Sequence, residues 1–224
     1  MFGNVEGMAV TTAVDWAELL LPDRIDTGLR QAPDALLVYQ RLRWSTAEPG
    51  ELRCRAGVLW ERPHGAEVER GLWTDAAIDD SVVADATLVV RHPGRADTLG
   101  TPALPAPPVV PTTIVDDQLV VTQNEVRAFV ARAGSAYSAT TTMTAAHRRG
   151  FAGLLVPGPL LLIAAAGRAA REPRGSVEAW FRGPVPAGAV LTRHRNGDGT
   201  TDALFLAGRA RPSVLVRTGR ADVS

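Results

Sequence analysis

The sequence predicts an α+β chain made of two similar units, the first abbreviated, and three observations carry that expectation. Strand-like runs punctuated by Pro and Gly turns follow one another in a similar order in both halves. A proline-rich stretch lies between them. In the second half, the run from Pro159 through LLLIAAAGRAA places apolar side chains on nearly every helical face, so a helix formed there has to be enveloped by other structure. With 46% hydrophobic residues among 224, the chain can bury a full core without covalent or metal staples.

The first half reads DALLVYQRLRWSTAEPGELRCRAGVLWERP, a turn at His64-Gly65, then AEVERGLWTDAA and SVVADATLVVRHP. VDWAELL is its best candidate helix. Residues 94–113 hold five prolines between Pro102 and Pro111 with neither helical nor alternating pattern. Proline lacks a backbone donor and stiffens an extended chain, which predicts a linker separating a unit over 1–93 from one over 114–224. Thr122 and Glu125 then have capping-box spacing, in which hydroxyl and carboxylate satisfy reciprocal backbone donors, and a helix through Val126, Phe129 and Val130 should follow. A second short helix is expected from about Met143 to Arg149, stopped by Gly150. The central helix opens on Pro159, a favourable first-turn residue, and runs through LLLIAAAGRAA. Strand runs SVEAWFRGPVPAGAVLTRHR, TTDALFLAGRAR and PSVLVRTGRA complete the half, with a turn at Asn196-Gly197-Asp198-Gly199. The parallel order predicts a weak internal duplication. Trp44, Trp60, Trp73 and Trp180 fall in predicted strands, where packing is their expected role, and Trp44 and Trp180 hold similar places in the two repeats.

Charge and composition exclude several classes. The formal net charge is zero, and the 24 basic residues, all arginine, are scattered along the chain. That leaves no electrostatic footprint for nucleic acid or an anionic membrane. Cys54 is the only cysteine, so no intramolecular disulfide can form and a cysteine zinc site is excluded; a reducing, cytoplasmic setting is expected. The N-terminal residues have neither a basic region nor a long apolar stretch and read as neither signal peptide nor anchor. None of His64, His92, His147 and His194 has a carboxylate at dyad spacing, and no His/Asp/Glu cluster has metal-ligand spacing. No Gly-x-Ser-x-Gly and no glycine-rich phosphate loop occurs. Neither a metal nor another cofactor is called for.

Residues 133–168 read AGSAYSATTTMTAAHRRGFAGLLVPGPLLLIAAAGR. Gly134, Gly150-Phe151 and Gly158-Pro159-Leu160 give this segment its outline, which resembles the active-site segment of the MaoC-like hydratase/dehydratase family of hotdog proteins. The resemblance covers most of 114–220 and is much weaker over the first half. It implies a double hotdog: two curved antiparallel sheets side by side, each wrapping a central helix, the N-terminal half abbreviated, with clefts where the halves meet. Arg182-Gly183-Pro184 matches the family's strand pattern ending in Arg-x-Pro, which implies that Arg182 is either structural or near a pocket mouth. The family's catalytic Asp falls on Ser135, its Asn on Tyr137, its catalytic His on Thr140 and the following Asp on Thr142, while the His expected before Gly158 is Pro157.

The family's acid/base pair activates water and delivers a proton to a trans-2-enoyl thioester, work that hydroxyls without a pKa near neutrality cannot do. The carbonyl-polarising backbone donor at the start of the central helix is independent of side chains and is expected to survive. Three readings follow. In the first, Ser135, Tyr137 and Thr140, with Ser138, Thr142, Gly158, Pro159 and Leu160 around the substrate, form a hydroxyl-rich cleft for an α,β-unsaturated acyl or polyketide-derived substrate, and positioning drives a lyase or ring-closing reaction. In the second, a hydratase or dehydratase has its acid/base pair relocated. In the third, the chain is a non-catalytic acyl-binding partner. The expected ligand is a small molecule or an acyl thioester on CoA or an acyl carrier protein, and the expected assembly a homodimer or a hotdog heterodimer, with no nucleic acid and no membrane.

Overall fold

A computed structural model of the chain describes residues 36–45, 52–78, 81–95, 98–133, 142–148 and 150–219. The first half contributes four strands, β1 (Leu36–Trp44), β2 (Leu52–His64), β3 (Glu67–Ile78) and β4 (Ser81–Pro93). The second contributes β5 (Thr113–Val120), helices α1 (Gln123–Ala133), α2 (Met143–Arg148) and α3 (Gly158–Ala166), then β6 (Gly175–Phe181), β7 (Val190–Arg195), β8 (Thr201–Leu206) and β9 (Val214–Gly219). VDWAELL lies outside the described residues.

The nine strands of the described residues join one antiparallel sheet in the order β2-β3-β4-β1-β6-β9-β8-β7-β5. Outward from the β1–β6 seam, each half runs first, fourth, third, second strand, and β5 is added at one edge. This mirrored order is the duplication that the turn spacing predicts. The seam is a continuous ladder in which Tyr39 faces Trp180 and Trp44 faces Gly175.

Strand alternation sorts the side chains onto two faces. Leu42, Trp44, Leu72, Ala84, Leu88, Val177 and Ala179 join Leu161, Leu162 and Ala165 of α3 in the main core. The apolar helix is thus enveloped as expected, packing on β6, β9 and β1. Tyr39, Trp60, Val89, Trp180, Ala203 and Leu215 form a second cluster on the opposite face. The proline-rich stretch between β4 and β5 packs on this face. Leu99 forms a two-bond bridge with Glu61, the Trp180 indole N–H donates to the Pro105 carbonyl at 2.9 Å, and Val110 packs on the second cluster. The prolines therefore lie across a sheet shared by both halves, an extended strap that needs few backbone donors of its own.

Trp44, Trp60 and Trp180 are buried in strands as expected, but the similar places of Trp44 and Trp180 in the two repeats do not make them a pair. Trp44 lies on the helix face and Trp180 on the opposite one, so the two do not play paired roles. Trp44, Trp60 and Trp73 instead share a device, each facing a cross-strand glycine: Gly175, Gly71 and Gly57 respectively. A Cβ at Gly57 would approach Trp73 to 2.7 Å, and one at Gly175 would approach Trp44 equally closely. Glycine inside a strand marks such a close approach.

Local signals hold well in the second half. The Thr122 N–H donates to Glu125 Oε2 at 2.7 Å and the Glu125 N–H to Thr122 Oγ1 at 3.2 Å, a complete capping box at the start of α1. Gly150 ends α2 with φ 78°, where its N–H and that of Phe151 close back on His147 and Ala146. The helix expected to run to about residue 170 instead ends at Ala166, because Gly167 takes φ 53° and the chain tightens into a 3-10 turn over Gly167–Arg171.

Candidate active site

Several chain segments end at one point beside the seam. β1 begins, β4 and β6 end and β3 begins there, and α3 starts against them. The approach to α3 is fixed by backbone bonds: the Val156 N–H donates to the Val185 carbonyl at 2.8 Å and the Ala187 N–H to the Leu154 carbonyl at 2.7 Å. Between these elements is a cavity of about 370 Å³. Its wall is mainly apolar, with Leu37, Phe151, Leu155, Val156 and Phe181 prominent. Its only charged lining residues among those described are Glu67, Arg91 and Arg182.

The first turn of α3 faces this space. Gly158 and Pro159 line it, and Gly158 is held close to the wall, since a Cβ there would come within 2.5 Å of Leu37 Cδ2. Pro157 at the N-cap supplies no side-chain acceptor. A helix start leaves its first N–H groups without intrahelical partners, and here no cap side chain takes them. Pro159 lacks an N–H, so the donors on offer are those of Gly158 and Leu160. Backbone donors and the positive end of a helix aimed into an apolar space polarise a carbonyl strongly.

The other expected site residues divide into three groups. Ser135, Tyr137, Ser138 and Thr140 lie outside the described residues. Thr142 is at the start of α2, where its hydroxyl accepts from the Ala145 N–H at 3.2 Å, the geometry of an N-cap. Leu160 turns its side chain toward Phe129 of α1, away from the cavity lining. Sequence reasoning did not single out Glu67, Leu37 or Arg91. They come from β1, β3 and β4 of the first half, and only the fold brings them to the start of α3.

Glu67 and Arg91 belong to a charged ladder on neighbouring strands. Arg91 Nε is 3.8 Å from Glu67 Oε2, and Arg91 Nη2 donates to Glu69 Oε1 at 2.9 Å. Glu69 is fully buried and also accepts from Arg62 Nε at 2.8 Å. Burial alone would push the Glu69 carboxyl up, but the two guanidiniums outweigh it and hold the group below its ordinary value. A depressed folded-state pKa stabilises above the unfolded value, about 4.3, and that contribution is lost as pH falls through the folded one. Acid unfolding of a Glu69→Gln variant, followed by circular dichroism below about pH 4, is therefore expected to show a flatter stability loss than the wild type. Arg182 is different: its exposed guanidinium stands at the cavity with no ion-pair partner among the described residues.

No family profile matches the sequence, and no curated protein does either. Solved structures do. The chain is similar to HtdX of Mycobacterium tuberculosis, with a TM-score of 0.72 at 16% identity over 99% of this chain and 90% of that one. A conserved M. tuberculosis protein with a double hotdog fold aligns over 96% of this chain and 82% of its own, with TM-score 0.61 and 13% identity. The chain has the double-hotdog fold. A MaoC-like dehydratase from Phytophthora capsici superposes on this double hotdog with TM-score 0.65 at 16% identity, over 86% of this chain and 73% of that one. No described helix of the double hotdog is long and apolar enough to cross a membrane, and no group of three or more His, Cys, Asp or Glu among the described residues could hold a metal ion.

Proposed function

We propose that this double hotdog is a diverged MaoC-like enzyme acting on an α,β-unsaturated acyl or polyketide-derived substrate bound at the start of α3. One observation carries the reading: an apolar cavity ends on an uncapped helix start, with no histidine in its described lining and one carboxylate, already paired with an arginine. That arrangement supports holding an acyl chain and polarising its carbonyl. It offers little for moving the protons of water. Ser135, Tyr137 and Thr140 supply hydroxyls that orient the reacting chain, so the reaction is one in which positioning dominates, a lyase or intramolecular ring-closing step such as conjugate addition. Arg182 at the cavity fits the negative charge of a CoA or carrier-protein arm.

Glu67 gives a second reading a specific foothold, because a carboxylate lining the cavity could act as a relocated acid or base. The test separates the two. Crotonyl-CoA is expected not to be hydrated, and a polyunsaturated or polyketide-like acyl thioester is expected to be consumed. Glu67→Gln should lower that turnover by less than about tenfold, whereas a loss of ~10² to 10⁴ would identify Glu67 as the acid or base. Unchanged turnover in both Tyr137→Phe and Thr140→Ala would remove the hydroxyl-lined cleft from the mechanism.

A further inference from the structure

Arginines that the fold leaves without partners gather where the cavity meets solvent. Arg182, exposed and part of the lining, follows the last residue of β6. Phe181 faces Val214 across the β6–β9 ladder, and the Arg182 N–H donates to the Ser213 carbonyl at 2.8 Å. The β8–β9 turn therefore stands at this same end of the sheet, and it carries Arg209 and Arg211, both exposed. On the other flank Arg95, also exposed, follows β4, whose last residue, Pro93, faces Glu67 of the lining. None of these four guanidiniums has a carboxylate partner among the described residues, whereas Glu67 already has Arg91 beside it. Between the flanks, at the start of β1, Leu36 is 51% exposed at the cavity it helps to line.

Width and composition favour a macromolecule over a small ligand here. Neighbouring strands lie about 4.8 Å apart, so in the order β4-β1-β6-β9-β8 the arginines span roughly 15–20 Å. A single phosphate or carboxylate engages one or two guanidiniums. The wider span suits the face of a folded partner, in which one helix alone is about 10 Å across. An exposed apolar residue set among arginines is also the make-up of a protein contact surface, where arginine is enriched and the margin is polar. Unpaired positive charge around the mouth speeds encounter with an acidic partner.

We propose that this mouth is a docking surface for an acidic acyl carrier protein, which seats its acidic face on Arg95, Arg182, Arg209 and Arg211 and passes its acyl arm beside Leu36 into the cavity. The inference rests on the acyl-substrate reading above and deepens it, from an acyl group to a protein-borne one. Arg209 and Arg211 do not line the cavity, so they act on the carrier and not on the acyl chain.

Wild type and the Arg209→Glu/Arg211→Glu double variant are titrated with octanoyl acyl carrier protein, octanoyl-CoA and the octanoyl thioester of N-acetylcysteamine. Both changes are at exposed turn positions and should leave the thermal midpoint within a few degrees of wild type. At low salt, wild type should bind the carrier roughly tenfold more tightly than the N-acetylcysteamine thioester. The double variant should lose that excess and keep its affinity for the N-acetylcysteamine thioester. Raising salt from about 50 to about 300 mM should erode only the carrier's advantage. Equal binding of these two probes by wild type, or a carrier preference that survives in the double variant, overturns the docking surface and leaves the acyl reading intact. An excess shared by octanoyl-CoA and lost in the double variant overturns it in favour of a nucleotide-phosphate site. Binding of no probe overturns the acyl reading itself.

Discussion

Asp202→Leu is expected to destabilise the chain by about 3–5 kcal/mol, a fall of roughly 10 °C in thermal midpoint. Arg193 of β7 is 5% exposed and projects toward the end of α3. Its Nη1 donates to the Ala165 carbonyl at 3.0 Å and to Asp202 Oδ2, and its Nε lies 3.0 Å from Asp117 Oδ2. A cation on the last carbonyls of a helix complements the negative end of its dipole. Asp202, itself buried, also accepts from Arg195 Nε at 2.7 Å. Without Asp202 the guanidinium stays inside the protein with only the half-exposed Asp117 opposite it, and that uncompensated burial is the source of the loss. Arg193→Met combined with Asp202→Leu leaves neither charge buried and should recover most of the stability. A loss below about 1 kcal/mol in Asp202→Leu alone would show that Arg193 is solvated or satisfied by the helix end.

The fold was legible where physics is local. Thr122 and Glu125 announce α1, Gly150 stops α2, and Asn196 and Asp198 build the β7–β8 turn by accepting from Thr201 and Thr200. The mirrored halves were legible because the same strand and turn rhythm occurs twice. What could not be read depends on which face a residue meets. Arg193 and Arg195 flank His194 and look like a solvated run, yet alternation turns Arg193 inward to α3 while His194 stacks against Phe205 at 4.4 Å on the other side. The proline-rich stretch reads as a spacer because its composition is that of one. Its path over Trp60 and Trp180 depends on long-range packing that no local pattern encodes.

The candidate site was half legible for the same reason. Gly158 and Pro159 are visible in sequence because the helix start, the apolar run and the proline coincide. Glu67, Arg91 and Leu37 sit in ordinary strand contexts in the first half. Only the β1–β6 seam makes them neighbours of α3. The cavity is therefore shared by the two halves: the second supplies the helix start, most of the apolar wall and Arg182, and the first supplies Leu37 with the Glu67 and Arg91 pair.

That seam is tested most directly at Trp44. Trp44→Ala is expected to cost about 3–5 kcal/mol, as for other fully buried large-to-small changes. The side chain is 0% exposed, its ring covers Gly175 across the seam, and its indole N–H donates to the Glu172 carbonyl at 2.9 Å. Truncation would open a void between β1 and β6 and strip a hydrogen bond from the turn that delivers the chain from α3 into β6. Gly175→Ala should fail from the other side, through overpacking against the same ring, at about 1–3 kcal/mol. Combining the two changes separates contact from coincidence. With the indole gone, the added methyl meets no ring, so the double variant should be less destabilised than the two single losses added together, by a coupling of about 1 kcal/mol in denaturant unfolding. Strict additivity would mean that Trp44 and Gly175 stabilise the seam independently and that the indole is not seated on the glycine.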